Sequence, residues 1–491
     1  MSADQHSRPS HDVPTALPDC LSGPILITGA GVSGVGCAKL VRMLGVEMAI
    51  ADDNPASAEV IAELGAEALT TAHARERITE FSCVITSPGW RPDSPVLVDA
   101  TSANIPVLGD VEVAYLVDRA ELLGPRRTWL AITGTNGKTT TTAMLAEMMQ
   151  RHNPASAAVG NIGTAIPDAL LATPRVEVLV AELSSFQLHW THEFTPDCGC
   201  VLNLAEDHID WHGSFAHYGA DKARILRGAI NVLGVDDEHV RAMEPQAAGR
   251  TVGFTLAEPE PGQVGVAEGW IVDRAFVPES ESSGPGIRIR PIEGISPAGR
   301  AGQLDALAAT AMARSQSVAP ADIAAALDSF GVAAHRGQVV HQVHEAAGTI
   351  TVIDNSKATN PHAADAALKG FSSILWVAGG QLKGADVSEV IRTHGERMVA
   401  AALLGVDAPL IAEHLGSLYP QLPVFVSTST DKYEAMAEIA AFAREHAVAG
   451  VDVILAPAAA SLDMYSGMGE RGDIFAEAMR AAFGTSGGGD V

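Results

Sequence analysis

The sequence predicts an α/β protein of three domains, and three observations carry that expectation. Apolar, strand-like runs alternate with Ala-rich helical patterns along most of the chain, the signature of parallel βαβ units. At 491 residues the chain has room for about three domains of ordinary size. Two glycine-rich loops, at 29–34 and 133–140, each follow an apolar run directly and open a helical pattern.

The strands are expected at 24–28, 46–50 and 83–86, then, after a break at Gly124-Pro125-Arg126-Arg127, at 129–133, 176–181 and 199–204. A third series follows His335, at 350–354, 374–378, 401–404, 424–426 and 451–455. Between Phe254 and Arg300 the text changes: six Pro and seven Gly mark a loop or β-ribbon excursion with mobile tips. The expected organisation is an N-terminal Rossmann-like domain over 24–123, a central P-loop ATPase-type α/β domain over 124–334 and a C-terminal Rossmann-like domain over 335–484. A disordered extension, 1–23, and a flexible Gly-rich tail, 485–491, flank them.

Composition narrows the function. The chain is 47% hydrophobic and 19% charged, enough apolar residues for several cores and too many for a disordered protein. With 32 Lys and Arg against 59 Asp and Glu, the net charge is −27, which excludes sequence-blind nucleic-acid binding. Any anionic ligand must then be met by cations gathered locally. Five scattered Cys make no disulfide framework, and Cys198 and Cys200, in a strand-like run, read as buried apolar residues. The N-terminus has no apolar signal segment, and no apolar run reaches membrane-spanning length. A cytoplasmic monomer without nucleic-acid or membrane partners is expected.

Gly29-Ala30-Gly31-Val32-Ser33-Gly34 fits a dinucleotide fingerprint, with Asp52 and Asp53 ending the next strand. Glycines let the backbone approach a diphosphate, and the helix start supplies N–H groups for it. The pattern reports a diphosphate-bearing nucleotide without saying which. Thr133-Gly134-Thr135-Asn136-Gly137-Lys138-Thr139-Thr140 is more specific: its backbone N–H groups can cradle phosphates, Lys138 neutralise them and Thr139 ligate Mg²⁺. It is not a strict Walker A, because Ile132 stands where that pattern wants Gly. Glu182 ends one strand and opens Glu182-Leu183-Ser184-Ser185-Phe186-Gln187-Leu188; Asn203-Leu204-Ala205-Glu206-Asp207-His208 ends the next. Glu182 and His208 can therefore converge on a divalent ion at the phosphates. His212 and His217 read as surface histidines.

Together with Gly160-Asn161-Ile162-Gly163, Asp354-Asn355-Ser356-Lys357-Ala358-Thr359-Asn360, Pro457-Ala458-Ala459-Ala460-Ser461-Leu462-Asp463 and Glu470-Arg471-Gly472-Asp473, these motifs resemble, in order, the Mur ligase family of ATP-dependent amide ligases. The resemblance covers about residues 24–480 and is closest to the members that add D-glutamate to UDP-N-acetylmuramoyl-L-alanine through an acyl phosphate. It implies that Val32, Ser33, Asp52, Asp53, Ser87, Gly89, Asn161 and Ser184 meet the UDP-sugar. Gly134, Thr135, Asn136, Gly137, Lys138, Thr139, Thr140, Arg336 and Asn355 would meet ATP, and Lys357, Thr359, Lys383, Ser461 and Met468 D-glutamate. Lys138, Glu182, His208 and Lys222 are the implied catalytic set. Two Mg²⁺ ions, replaceable by Mn²⁺, would be held by Thr139, Glu182, His208 and Lys222, the last as a carbamate.

Three places depart from the family pattern. An Arg common at Asn54 is absent; Asn355 stands where an Asp meets the ribose; and Ala301-Gly302-Gln303-Leu304-Asp305 replaces a run carrying adenine-contacting amides. Adenine is therefore expected to be held loosely, unless Asp305 or the backbone substitutes. Competing readings are a sibling ligase adding a diamino acid, a Rossmann oxidoreductase, which leaves the second loop idle, and a non-catalytic nucleotide-binding module, which gives Glu182, His208, Lys222 and Lys383 nothing to do.

Overall fold

The computed structural model describes residues 17–277, 284–331, 334–369 and 371–484. It contains three sheets, and each of the eleven strands expected above falls in one of them.

The first sheet is wholly parallel, in the order β3-β2-β1-β4-β5: β1 (Ile25–Thr28), β2 (Met48–Ala51), β3 (Glu67–Leu69), β4 (Cys83–Thr86) and β5 (Val107–Gly109). All residues of β1, β2 and β4 are buried, as strands covered on both faces must be. The strand order reverses between β1 and β4, so the loops after these two strands open the crevice where α/β sheets take ligands. Those loops carry Gly29–Gly34 and Ser87-Pro88-Gly89.

The central sheet has nine strands, β6 (Thr128–Thr133), β7 (Ser156–Gly160), β8 (Val178–Glu182), β9 (Cys198–Val201), β10 (Ile230–Gly234), β11 (Arg250–Phe254), β12 (Gln263–Ala267), β13 (Trp270–Asp273) and β14 (Ile287–Pro291). Their order is β14-β13-β12-β11-β10-β9-β6-β8-β7, parallel from β7 to β12 and antiparallel beyond. The Pro/Gly-rich excursion is thus a ribbon that lengthens the sheet; the tip expected to be mobile includes 278–283, outside the described residues. Register levels the functional strand ends: Ile132 pairs with Glu182, and Thr133 with Val201. On one face the helix Arg300–Ser315 presents buried Ala306, Ala308, Ala309, Ala311 and Ala313, whose small side chains let it lie against the helix Lys138–His152.

The third sheet runs β15-β16-β20-β17-β18-β19, with β15 (Gln338–Glu345), β16 (Gly348–Asp354), β17 (Ile374–Gly379), β18 (Met398–Leu404), β19 (Val424–Val426) and β20 (Asp452–Leu455). Only β15 is antiparallel to its neighbour.

One expectation needs correction. The extension over 1–23 is ordered at its end: Asp19–Leu21 forms a 3₁₀ turn, Leu21 is fully buried, and the Ser82 hydroxyl donates to the Cys20 carbonyl. An apolar anchor in an otherwise polar segment is enough to seat it; residues 1–16 and the tail 485–491 lie outside the described residues. The break expected at 124–127 precedes β6 and is tied down by its last residue. Arg127 is buried, its guanidinium 2.9 Å from Asp118 Oδ1, and it donates to the carbonyls of Leu170 and Val176. Trp129 Nε1 donates to Asp118 Oδ2, and one contiguous core joins the first sheet to the central one, with Trp129, Val159, Ile166 and Leu179 packed in the same cluster as Ile25, Ile27 and Val113.

Candidate functional site

The phosphate loop leaves β6 at the point where the central sheet reverses its order. Gly134 (φ 159°) and Gly137 (φ 82°) take positive φ, and a Cβ on Gly137 would sit 2.2 Å from Asp305 Oδ1, so glycine is required there. Lys138 opens the following helix and folds back, donating to the carbonyls of Gly134 (2.8 Å) and Thr135 (2.9 Å). Burial pushes its ammonium down, while Glu182 and Asp207 push it up.

Lys222 reaches the same loop from the helix Phe215–Ala223. It is 2% exposed, donates to Gly134 O (2.8 Å) and Thr133 Oγ1 (3.3 Å), and lies 4.7 Å from the Tyr218 ring centroid. Two ammonium groups therefore share one carbonyl. Burial, reinforced by Lys138, holds Lys222 well below the usual lysine range. A solvated helix-face lysine this is not.

Glu182, at the end of β8, is 1% exposed; its Oε1 accepts from Asn161 Nδ2 at 2.9 Å, while Oε2 is buried without a partner. An orphaned buried carboxylate oxygen invites a cation. His208, in left-handed conformation (φ 52°), faces the same space, with burial lowering its pKa. A cavity of about 420 Å³ joins these groups to the first sheet: Lys138, Asn161, Ser184, Ser185, His208 and Lys222 on one side, Val32, Ser33 and Gly89 on the other. Val32 is 79% exposed at its mouth. Between the two halves lies Asp110, buried, hydrogen-bonded by Gln187 and the N–H of Val111, and raised above the usual carboxylate range by burial.

Several other expected residues are hydrogen-bonded within the protein. Asp52 ties its loop to the glycine-rich one, accepting from the N–H groups of Asn54 and Ala30, and Asp53 accepts from Thr71 through both N–H and hydroxyl. Ser87 donates to the Thr28 carbonyl. Ser184 caps the helix Ser185–His189 in a capping box with Gln187. Thr139 is half-buried at the second position of its helix. His212, read as a surface residue, is buried among Phe186, Trp211 and Tyr218, because the turn after His208 tucks its ring inward. His217 is exposed as expected.

A second cavity, of about 500 Å³, lies between the central and third sheets. Asn136, Gly137, Thr140 and Asp305 line it from the central side, Arg336, Asn355 and Lys357 from the other. Burial lowers Arg336, and burial together with Arg336 lowers Lys357. The departure at Asp305 has a physical signature: 7% exposed and hydrogen-bonded by Thr141, its carboxyl is pushed up to about 7 by burial. Unfolded, it titrates near 3.8, so the folded chain binds the extra proton and stability falls as pH rises from about 4 to about 7. Asp305→Asn, which still accepts from Thr141, should remove that slope and stabilise the protein at pH 8 by about 2–4 kcal/mol, measured by denaturant unfolding across pH.

The remaining expected ligands sit where the loops after β16, β17 and β20 meet. Gln381 and Ala460 exchange two backbone hydrogen bonds, bringing the loop of Lys383 to that of Ser461. Lys383 is exposed, Ser461 buried, and Met468 begins the helix Met468–Phe483, its carbonyl accepting from Ser356. Thr359 follows within its own loop, its N–H donating to the Lys357 carbonyl. Sequence reasoning assigned no role to Arg471. It is 1% exposed and donates to Ser356 Oγ and to the carbonyls of Ser356, Gly379 and Ala459, clasping all three loops. Its place beside Glu470-Arg471-Gly472-Asp473 was the only signal.

Among the described residues no three His, Cys, Asp or Glu side chains form a preformed metal cluster, and no helix is long and apolar enough to cross a membrane. Residues 132–269 match the family model of the Mur ligase middle domain, and 23–109 that of the Mur ligase MurD-like N-terminal domain. The UDP-N-acetylmuramoylalanine–D-glutamate ligase of Corynebacterium efficiens is 52% identical over 94% of this chain and 96% of that protein. That of Mycolicibacterium smegmatis is 41% identical over 94% and 97%. Among solved structures, the UDP-N-acetylmuramate-alanine ligase of Thermotoga maritima shares the fold with TM-score 0.51 at 18% identity, covering 94% of this chain and 99% of that one. A pseudomurein peptide ligase type C from Methanothermus fervidus does so with TM-score 0.53 at 16% identity over 89% and 97%.

Proposed function

The chain belongs to the Mur ligase family, and from that membership we propose that it joins D-glutamate to UDP-N-acetylmuramoyl-L-alanine with ATP, a cytoplasmic step of peptidoglycan precursor synthesis. The observation that carries the reading is 52% identity, over nearly the whole chain, to a protein named for that reaction.

The chemistry is carboxylate activation. An oxygen of the alanyl carboxylate takes the γ-phosphoryl group, ADP leaves, and an acyl phosphate forms. The D-glutamate amine, having lost a proton, attacks the carbonyl carbon; the C–N bond forms, the C–O bond breaks with its electron pair on the phosphate oxygen, and the second N–H proton leaves with inorganic phosphate. Phosphoryl transfer asks for positioning and neutralisation, and Lys138 with the loop N–H groups is placed to supply both. The 420 Å³ cavity suits the sugar nucleotide, its UDP end at Val32, Ser33 and Gly89 and its carboxylate at Lys138. The 500 Å³ cavity suits the nucleotide of ATP, with Arg336 and Asn355 closing it. Lys357, Thr359, Lys383, Ser461 and Met468 form the proposed amino-acid site on a C-terminal domain beginning near 335, and the domain limits near 124 and 334 belong to the same reading.

The residues present fit Mg²⁺. Glu182 Oε2 lacks a partner, His208 lines the adjoining cavity, Thr139 follows Lys138 at the helix start, and so small a protein donor set suits an ion that keeps waters and phosphate oxygens. Bound there, Mg²⁺ would neutralise developing phosphate charge. Lys222 joins the set only as a carbamate, since an ammonium cannot ligate; its depressed pKa favours the free amine that CO₂ requires. Lys222→Ala should lose most activity and regain part of it with chloride or a short carboxylate.

Phosphate release that requires both UDP-N-acetylmuramoyl-L-alanine and D-glutamate tests the assignment. Faster turnover with L-lysine or diaminopimelate would instead make the chain a sibling ligase for another amino acid.

A further inference from the structure

A buried hydrogen-bonded chain that no step above uses ends at the wall of the sugar-nucleotide cavity. Ser185 Oγ lies 3.0 Å from His212 Nε2, and His212 Nδ1 lies 3.0 Å from Asp221 Oδ2. The same carboxylate oxygen is 2.9 Å from His189 Nδ1, and Arg224 is 3.2 Å from the other. The His212 ring stacks parallel on Phe186, with Trp211 and Tyr218 at its edges, so it has one seat.

The direction of each hydrogen bond follows. Beside a guanidinium, Asp221 is a carboxylate and can only accept, so both imidazoles donate to it from Nδ1. Asp221 and Arg224 already balance in charge, so a neutral His212 leaves no buried net charge, and its Nε2 is then a bare acceptor. The Ser185 hydroxyl must donate to it. Its proton is turned into the protein, and its lone pairs are left for the cavity that Ser185 lines. The neighbouring hydroxyls are otherwise engaged: Ser184 caps its helix and Tyr218 pairs with Thr135.

We propose that Ser185 is an acceptor for a substrate N–H, the amide of the alanyl residue whose carboxylate is activated, and that His212 and Asp221 are positioning residues that keep the serine proton out of the way. The cavity runs from Val32 and Gly89 to Lys138. A muramoyl-alanine laid along it with its carboxylate at Lys138 carries its amide next to that end, and Ser185 lines the same side of the cavity as Lys138. The assignment rests on the ligase reading above. A site of this polarity accepts an amide and rejects an ester, which offers oxygen lone pairs to oxygen lone pairs.

The test is a cycle between protein and substrate, using the full chain, ATP, D-glutamate and either UDP-N-acetylmuramoyl-L-alanine or the analogue carrying L-lactate in place of L-alanine. In the wild type the ester should lower kcat/KM about tenfold, the effect of one lost hydrogen bond in a closed site. Ser185→Ala should lose about tenfold with the amide and nothing further with the ester. His212→Leu, which frees the serine proton while keeping the serine, should erase the same discrimination. Penalties that simply multiply in Ser185→Ala, or a wild type indifferent to the ester, overturn the assignment. A wild type that ligates neither substrate would sink the ligase reading beneath it, and the assignment with it.

Discussion

Lys138→Ala should lower kcat at least about a thousandfold, the scale of removing a preorganised charge from a phosphoryl-transfer site. The neighbouring cations are committed elsewhere: Lys222 is fixed on Gly134 O and Thr133, and Arg336 and Lys357 line the other cavity. Sugar-nucleotide affinity should change by no more than about threefold, because the UDP end is met by the first sheet and only the carboxylate end loses a partner. The split is measured by single-turnover phosphate release alongside equilibrium titration of the sugar nucleotide. Equal collapse of both would mean that the substrate does not span the cavity as described. Losing its like-charged neighbour should also raise the Lys222 pKa, since Lys138 is one of the groups holding it down.

Arg471→Ala should be the most damaging substitution in the third domain. It strands the carbonyls of Ser356, Gly379 and Ala459 and opens a void at 1% exposure, at a cost of about 3–5 kcal/mol. Arg471→Lys should rescue little, because a point charge cannot reach three carbonyls and a hydroxyl on different loops. Hydrogen exchange should quicken across β17 and β20 and leave β6 and β8 unaffected. In the same variant KM for D-glutamate should rise at least about tenfold, with KM for the sugar nucleotide unmoved, since the clasped loops carry Lys357, Lys383 and Ser461. Normal exchange at β17 with a raised KM would show that Arg471 acts on the ligand and not on the loops.

The strands legible in the sequence were the apolar ones. β7, Ser156–Gly160, is made of small residues with little strand preference, and β15, Gln338–Glu345, is a polar edge strand with no buried run to announce it. Of the site, what could be read was what sits in contiguous motifs: Gly134 to Thr140, Glu182, His208. What could not be read was formed by distance in sequence. Asp118 and Arg127, Asp110 and Gln187, and Ser185, His212 and Asp221 become partners only once the elements pack. Asp305 was legible as a departure from pattern, but its elevated pKa depends on the helix that buries it.

The shared core between the first and central sheets, pinned by Arg127 on Asp118, makes the two cavities unlike in construction. With those two bodies fused, the third sheet is joined to them beside His335, a residue held at φ 65° and 2.6 Å from Asp354. On the proposed reading the sugar-nucleotide cavity is lined wholly by that fused pair, whereas the ATP cavity is completed only by Arg336, Asn355 and Lys357 from the side of the third sheet. The sugar nucleotide therefore meets a surface that one packed core already holds together, while ATP meets one assembled from two cores.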